Sequence, residues 1–175
     1  MEGDRLKTKD VKVVPYDENW PAEFKKIQEP ISAVLGDWAV SIEHVGSTSV
    51  AGLWAKPILD IDVLIQDKNA LCAVIKKLES IGYVFEGDLG IKDRYAFGYE
   101  NKPHLMPHHL YVCPQNSEEW KRHRCLRNYL RSHPEDAQKY SDVKRKGAAL
   151  FPQDVEGYLR YKTDMIAEIY RMGGL

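Results

Sequence analysis

The chain has 175 residues, with a hydrophobic share of 43%, a charged share of 29% and a net charge of −1. That length suits one domain with a real core rather than two, and the composition is that of a globular protein rather than a disordered or collagenous one. No apolar run approaches the ~20 residues that span a bilayer, nothing signal-like follows Met1–Arg5, and the near-zero net charge gives no global attraction to nucleic acid, so a cytoplasmic protein is expected.

Lys12 to Pro15 reads as a short edge strand. Trp20-Pro21 then opens a helix running toward Leu35-Gly36, with Phe24, Ile27, Ile31, Val34 and Leu35 at helical spacing and Pro30 expected to kink or divide it. Val40 to Val45 alternates as a strand. Gly46-Ser47-Thr48-Ser49 breaks it with residues that tolerate unusual backbone angles and offer N–H groups and hydroxyls. A short helix is expected to start there, and amides at such a turn, helped by the local dipole, make a seat for phosphate. Ile58 to Ile65 is short, rich in β-branched residues and introduced by Pro57, which is the pattern of a buried strand. Side chains alternate across a strand, so Asp60 and Asp62 share one face while Leu59, Ile61, Val63 and Ile65 share the other.

Asn69 to Ile81 carries Leu71, Val74, Ile75, Leu78 and Ile81 on one stripe, with Gly82 as its stop, and reads as a crossover helix. Tyr83 to Glu86, Arg94 to Tyr99 and His108 to Val112 read as three further strands. From Asn116 the pattern is helical to the end: Asn116 with Glu119 resembles a capping box, Pro134 opens a further helix and Gly173 closes the last. The expected fold is α/β (α+β), a mixed sheet of about five strands flanked by helices. It forms one domain over 1–175, with a sheet half over about 10–113 and a helical half over about 114–175.

Two carboxylates side by side on a central strand repel each other and lose hydration, so something cationic belongs between them. Mg²⁺ (or Mn²⁺), which takes one or two carboxylates together with phosphate oxygens and water, fits that demand. The plain alternative is a structural pair that meets an Arg or Lys. Lys56 reaches a phosphate as a point charge, and the fork of Arg94 suits a triphosphate or, as plainly, a salt bridge to one of Glu86, Asp88 and Asp93. His109 and Tyr111 share a strand face and His108 takes the other, so His109 is the histidine expected to face the acidic pair, as a general base or a phosphate ligand. Arg127, Arg131 and Lys162 come from the helical half and are candidates to face a cleft.

The basic clusters Lys121 to Arg131 and Lys144 to Lys146 read as solvated helix faces, and no nucleic-acid partner is expected. Cys72, Cys113 and Cys125 are odd in number and lack Cys-x-x-Cys spacing, so they read as reduced thiols. Cys72 is expected in the core and Cys113 exposed at a strand end. Gly-Ser-Thr-Ser-Val lacks the nucleophile elbow Gly-x-Ser-x-Gly, which argues against serine hydrolysis.

The stretch from Ile42-Glu43-His44-Val45-Gly46-Ser47-Thr48-Ser49 through Val50-Ala51-Gly52-Leu53 and Ala55-Lys56-Pro57-Ile58-Leu59-Asp60-Ile61 resembles the signature of the GrpB family, whose fold is similar to that of nucleotidyltransferases. The likeness begins at Val14-Pro15-Tyr16-Asp17 with Trp20-Pro21 and returns at His108-His109-Leu110-Tyr111-Val112. It continues through Glu119-Trp120, Arg127-Asn128-Tyr129-Leu130-Arg131 and His133-Pro134, and ends around Tyr158 and Lys162. Tyr111 stands where a histidine is expected and Asn128 where an aspartate is common. His108 to Val112 also carries no carboxylate, where active nucleotidyltransferases usually place a third.

The resemblance implies a nucleotidyltransferase-like protein that binds a nucleotide or other phosphorylated small molecule with Mg²⁺ and transfers a nucleotidyl group to an unidentified acceptor. Asp60, Asp62 and His109 would be catalytic, the two aspartates holding the metal. His44, Gly46, Ser47, Thr48, Lys56, Arg94, Arg127 and Lys162 would bind the nucleotide and its phosphates. The alternative is a non-catalytic ligand-binding or accessory module linked to coenzyme A biosynthesis, because members also occur fused behind dephospho-coenzyme A kinase domains.

Overall fold

The β-branched run forms the strand around which everything else is arranged. A computed structural model describes residues 10–175; the expectation about Met1–Arg5 lies outside the described residues. The strands are β1 (Ser41–Val45), β2 (Leu59–Ile65), β3 (Tyr83–Gly87), β4 (Tyr95–Tyr99) and β5 (His108–Pro114). The helices are α1 (Trp20–Leu35), α2 (Leu71–Glu79), α3 (Glu118–Ser132), α4 (Pro134–Leu150) and α5 (Val155–Met172). One mixed sheet has the order β1-β2-β5-β4-β3, in which β2 pairs antiparallel with β1 and parallel with β5. Because β4 is antiparallel to both β3 and β5, β3 runs parallel to β2. Helix α2 is therefore the expected crossover, carrying the chain past β5 and β4 to the far edge.

Alternation decides which face meets which helices. Leu59, Ile61, Val63 and Ile65 are fully buried in one core with Ile27 and Ile31 of α1 and Val74 and Leu78 of α2. A second core joins the segment just after the Gly46 turn to the helical half: Val50 and Leu53 pack with Tyr129 and Leu130 of α3, Tyr140 of α4 and Ile169 of α5. Ser141 Oγ accepts from Trp54 N at 3.1 Å, and the Arg131 guanidinium donates twice to Ser49 O, at 3.1 and 2.7 Å, so the turn is clamped from the helical side. Among the described residues no helix is long and apolar enough to cross a membrane.

Several local expectations change. Lys12 to Pro15 forms no strand, only an isolated antiparallel bridge between Val14 and Ala55; Pro15 has no N–H with which to continue a ladder. Pro30 does not divide α1. It sits on the exposed side, where water can take the carbonyl it leaves unbonded, while Ile27 and Ile31 on the buried side hold the helix together. The expected helix from Asn69 begins as a 3₁₀ turn, Lys68–Ala70, capped by Asp67 accepting from Asn69 N at 2.8 Å. Cys72 is exposed and Cys113 buried, the reverse of the expectation. Cys72 falls on the outer side of its helix, and β5 continues to Pro114, which carries Cys113 inside.

The cap of α3 is Ser117, not Asn116: its fully buried Oγ accepts from Trp120 N at 3.3 Å. Ser117→Ala is expected to lower stability by ~1 kcal/mol in thermal unfolding, the usual cost of a lost N-cap. It should also loosen the helix that brings His123 and Arg127 to the sheet. An unchanged midpoint would remove the cap from the account.

Candidate functional site

Strand register brings the acids together. On β2, Asp60 lies opposite Val45 and Asp62 opposite Glu43 of β1; across the parallel pair, Asp60 faces His109 and Asp62 faces Tyr111 of β5. Directly opposed residues share a face, so Glu43, Asp60, Asp62, His109 and Tyr111 form one polar patch. The third carboxylate of this patch thus comes from β1. Glu43 Oε2 is 2.7 Å from Arg127 Nη1, which also donates to His44 O at 3.1 Å.

Gly46 sits at φ 69°, ψ −171°, a conformation essentially confined to glycine. A Cβ there would run into Asp60 Oδ2 and lie 2.9 Å from Asp60 Cγ, so the turn backbone and the carboxylate are in direct contact. Ser47–Ser49 follows as a single 3₁₀ turn rather than a longer helix. His44, on the opposite face of β1, stacks on Phe24 at 5.0 Å and bonds Thr48 Oγ1 through Nε2 at 2.9 Å. Burial, reinforced by the charges of Arg131 and Arg127, lowers its pKa to about 4, so the ring is neutral near pH 7 and braces the turn from beneath.

A cleft of about 1400 Å³ opens over the polar patch. Gly46, Ser47, Thr48 and Asp60 line it, joined by Lys56, Arg94, His109 and Lys162. Four expected residues do not line it: His44, Arg127 and Arg131 hold the turn and Glu43, and Asp62 is wholly buried. His108 takes the other face of β5, where its Nδ1 donates to Met106 O at 2.8 Å and its Nε2 accepts from the Tyr83 hydroxyl at 2.9 Å. Arg94 takes neither Glu86 nor Asp88 nor Asp93. Its guanidinium lies 4.5 Å from the Tyr111 ring centre, with NH1 4.0 Å from Glu119 Oε2.

The residue that sequence reasoning missed is His123. From α3 its Nδ1 donates to Asp62 Oδ2 at 2.8 Å, its Nε2 lies 3.8 Å from Glu119 Oε2, and the ring lines the cleft. One of the two aspartates therefore already has a basic partner, a histidine where an arginine or lysine was the plain alternative. Burial raises the Asp62 pKa against the pull of His123, with Asp60 and Glu43 adding to the rise. Burial pulls the His123 pKa down, but the hydrogen bond and charge of Asp62 outweigh it and the pKa is raised. The pair therefore holds its protons more tightly than the free side chains do. The signal available was the four-residue step from Glu119 to His123 to Arg127, which puts all three on one helix face. Lys144, expected on a solvated face, is 2% exposed and lines the same cleft. It leaves solvent because α4 packs that side against α5 and Tyr158.

Whether these residues suit a divalent ion can be tested on Asp62 itself. Its Oδ1 is buried and has no hydrogen-bond partner among the described residues, an orphan oxygen two residues from the cleft-lining carboxylate of Asp60. Mg²⁺ takes one or two carboxylates and fills its shell with phosphate oxygens and water, so the pair fits. Among the described residues no group of three or more His, Cys, Asp and Glu is arranged to hold a metal, which leaves most of the shell to ligand and water.

A mixed sheet with an acid-bearing central strand, a glycine turn pressed on that acid and a polar cleft above defines an α/β protein. The family model described as GrpB protein matches residues 10–172, and the chain belongs to that family. It is 36% identical over 161 residues to the UPF0157 protein PA4798 of Pseudomonas aeruginosa, covering 91% of this chain and 66% of that one. The crystal structure of the conserved protein GrpB from Enterococcus faecalis superposes with a TM-score of 0.81 at 29% identity, covering 93% of this chain and 96% of that one. A shorter match, 32% over 76 residues, is to the dephospho-CoA kinase of Mycolicibacterium paratuberculosis and covers 42% of this chain and 19% of the kinase.

Proposed function

We propose that the cleft binds a nucleotide with Mg²⁺ or Mn²⁺ and that the protein is a cytoplasmic, nucleotidyltransferase-like enzyme acting on an unidentified acceptor. The observation that carries this reading is the contact of the Gly46 turn with Asp60. A glycine turn of this kind suits a phosphate and a carboxylate suits a divalent ion, so their contact supports a single ligand meeting both. Asp60 and Asp62 Oδ1 would hold the ion, whose chemistry is to neutralise charge on the phosphates. The Gly46-Ser47 turn and Thr48 hold the outgoing phosphates, and Lys56, Arg94 and Lys162 offset their charge. His109, opposite Asp60, would take the proton of an acceptor hydroxyl.

A second reading is favoured by one observation: β5 contributes His109 and Tyr111 to the polar face and no carboxylate. On that reading the protein is a non-catalytic binding or accessory module, and the stretch shared with dephospho-CoA kinase supports a link to coenzyme A biosynthesis. Calorimetric titration with ATP and Mg²⁺ is expected to show binding that weakens at least ~10-fold, or about 1.4 kcal/mol, in Asp60→Ala. No heat with any common nucleotide would overturn the nucleotide reading. Pyrophosphate release that depends on Asp62 would exclude the purely binding one.

A further inference from the structure

Three lysines from three separate elements converge on one end of the cleft. Lys144 of α4 has its Nζ buried without a hydrogen-bond partner among the described residues, 4.6 Å from the centre of the Tyr140 ring. Lys162 of α5 and Lys56 of the segment before β2 share the Tyr158 ring, their Nζ atoms 5.1 and 5.3 Å from its centre. Among the described residues none of the three forms an ion pair with a carboxylate. Aromatic faces offer each ammonium partial compensation, but they do not replace a counter-charge.

We infer that Lys56, Lys144 and Lys162 form a subsite for a chain of linked phosphates, with Lys144 as the buried contact that only a multiply charged anion satisfies. The inference rests on the reading of the cleft as a phosphate-binding site and goes beyond it in naming a subsite that needs neither nucleoside nor metal. A single carboxylate or phosphate compensates one or two of the three cations. A di- or triphosphate carries charge along its length and can meet all three. Continuity with the turn comes from Tyr140, which lines the cleft together with Gly46 and Ser47, so the lysine end and the turn open onto one space.

The electrostatics of the free cleft sharpen the test. Burial, with the charge of Lys162 adding to it, pushes the Lys144 amine well below the usual lysine range. The other charged or titratable histidine, lysine, arginine and carboxylate groups lining the cleft are Lys56, Asp60, Arg94 and His109 at the sheet, His123 on α3, and the exposed carboxylates Asp10, Asp154 and Glu156. An entering polyanion favours the ammonium form of Lys144 and raises its lowered pKa, so binding and proton uptake are linked.

The probe is inorganic tripolyphosphate in EDTA, titrated calorimetrically into the whole chain at about pH 8 in two buffers of different ionisation enthalpy. Wild type is expected to bind with heats that differ between buffers in the sense of proton uptake, and with affinity that falls as pH rises. Lys144→Met, checked for folding by circular dichroism, should bind at least ~10-fold more weakly. Lys144→Arg, permanently charged, should bind without proton uptake. No binding by wild type, undiminished binding by Lys144→Met or buffer-independent heats in wild type would overturn the inference. Tripolyphosphate binding without ATP–Mg²⁺ binding would support this subsite and sink the nucleotide reading; the reverse would sink the subsite alone.

Discussion

His123→Ala is expected to cost about 3–5 kcal/mol of folding stability near pH 6, the usual penalty for leaving one member of a buried ion pair alone. Asp62 is wholly buried and His123 is, among the described residues, its one side-chain partner, at 2.8 Å. The sign of the pH dependence follows from the raised pKa of His123. A group held above its unfolded value, ~6.5 for histidine, contributes in full below that value and loses its contribution as pH rises through the folded one. The variant behaves differently at the acid end. Its solitary Asp62, whose pKa burial already raises, becomes easier to accommodate as it takes up a proton. The gap between wild type and variant should therefore be widest near pH 6 and narrow toward both about pH 4 and about pH 9, as read by urea unfolding. Adding Asp62→Asn to His123→Ala should recover much of the loss, since it removes the stranded charge at nearly constant volume. A small gap that ignores pH would mean that the pair does not hold α3 against the sheet.

Gly46→Ala should disable the site and weaken the fold together. The backbone there, at φ 69° and ψ −171°, costs an alanine about 1–3 kcal/mol. The new methyl meets the Asp60 carboxylate, which must move, and overpacking of this kind adds a similar amount. The two causes separate in a double-mutant cycle. Asp60→Ala in the Gly46→Ala background removes the steric conflict but leaves the backbone cost, so the pair should be less destabilising than the sum of the singles. Strict additivity in chemical denaturation would show that the turn and the carboxylate do not touch. A Gly46→Ala protein that binds ATP–Mg²⁺ as wild type does would remove the turn from the site.

Much of the fold was legible because its signals are periodic. The alternation in Ile58 to Ile65 and the stripe from Leu71 to Leu78 report directly which side is buried, and both elements stand where expected. The family signature reached the same strand, turn and histidine pair. Partner choice was not legible. Glu43 stood inside the signature, but only the antiparallel register of β1 on β2 sets it opposite Asp62. His123 and Lys144 were hidden in basic runs that look like solvated helix faces, because the difference between a wet and a buried cation is made by tertiary packing of α3, α4 and α5. Pro30 and the Cys72–Cys113 reversal teach the same lesson: local rules name a residue's preference, and the neighbouring layer decides whether it is met.

The strand order has a consequence for biogenesis. Leu59–Ile65 lies between a predecessor and a partner that are far apart along the chain, since β3, β4 and the crossover all emerge before His108–Pro114 can dock. Closing so long a loop is entropically slow. On the ribosome, the parallel partner of the segment bearing both aspartates and the helices that wall the cleft all emerge after it, so the cleft cannot close before the last third of the chain has been made.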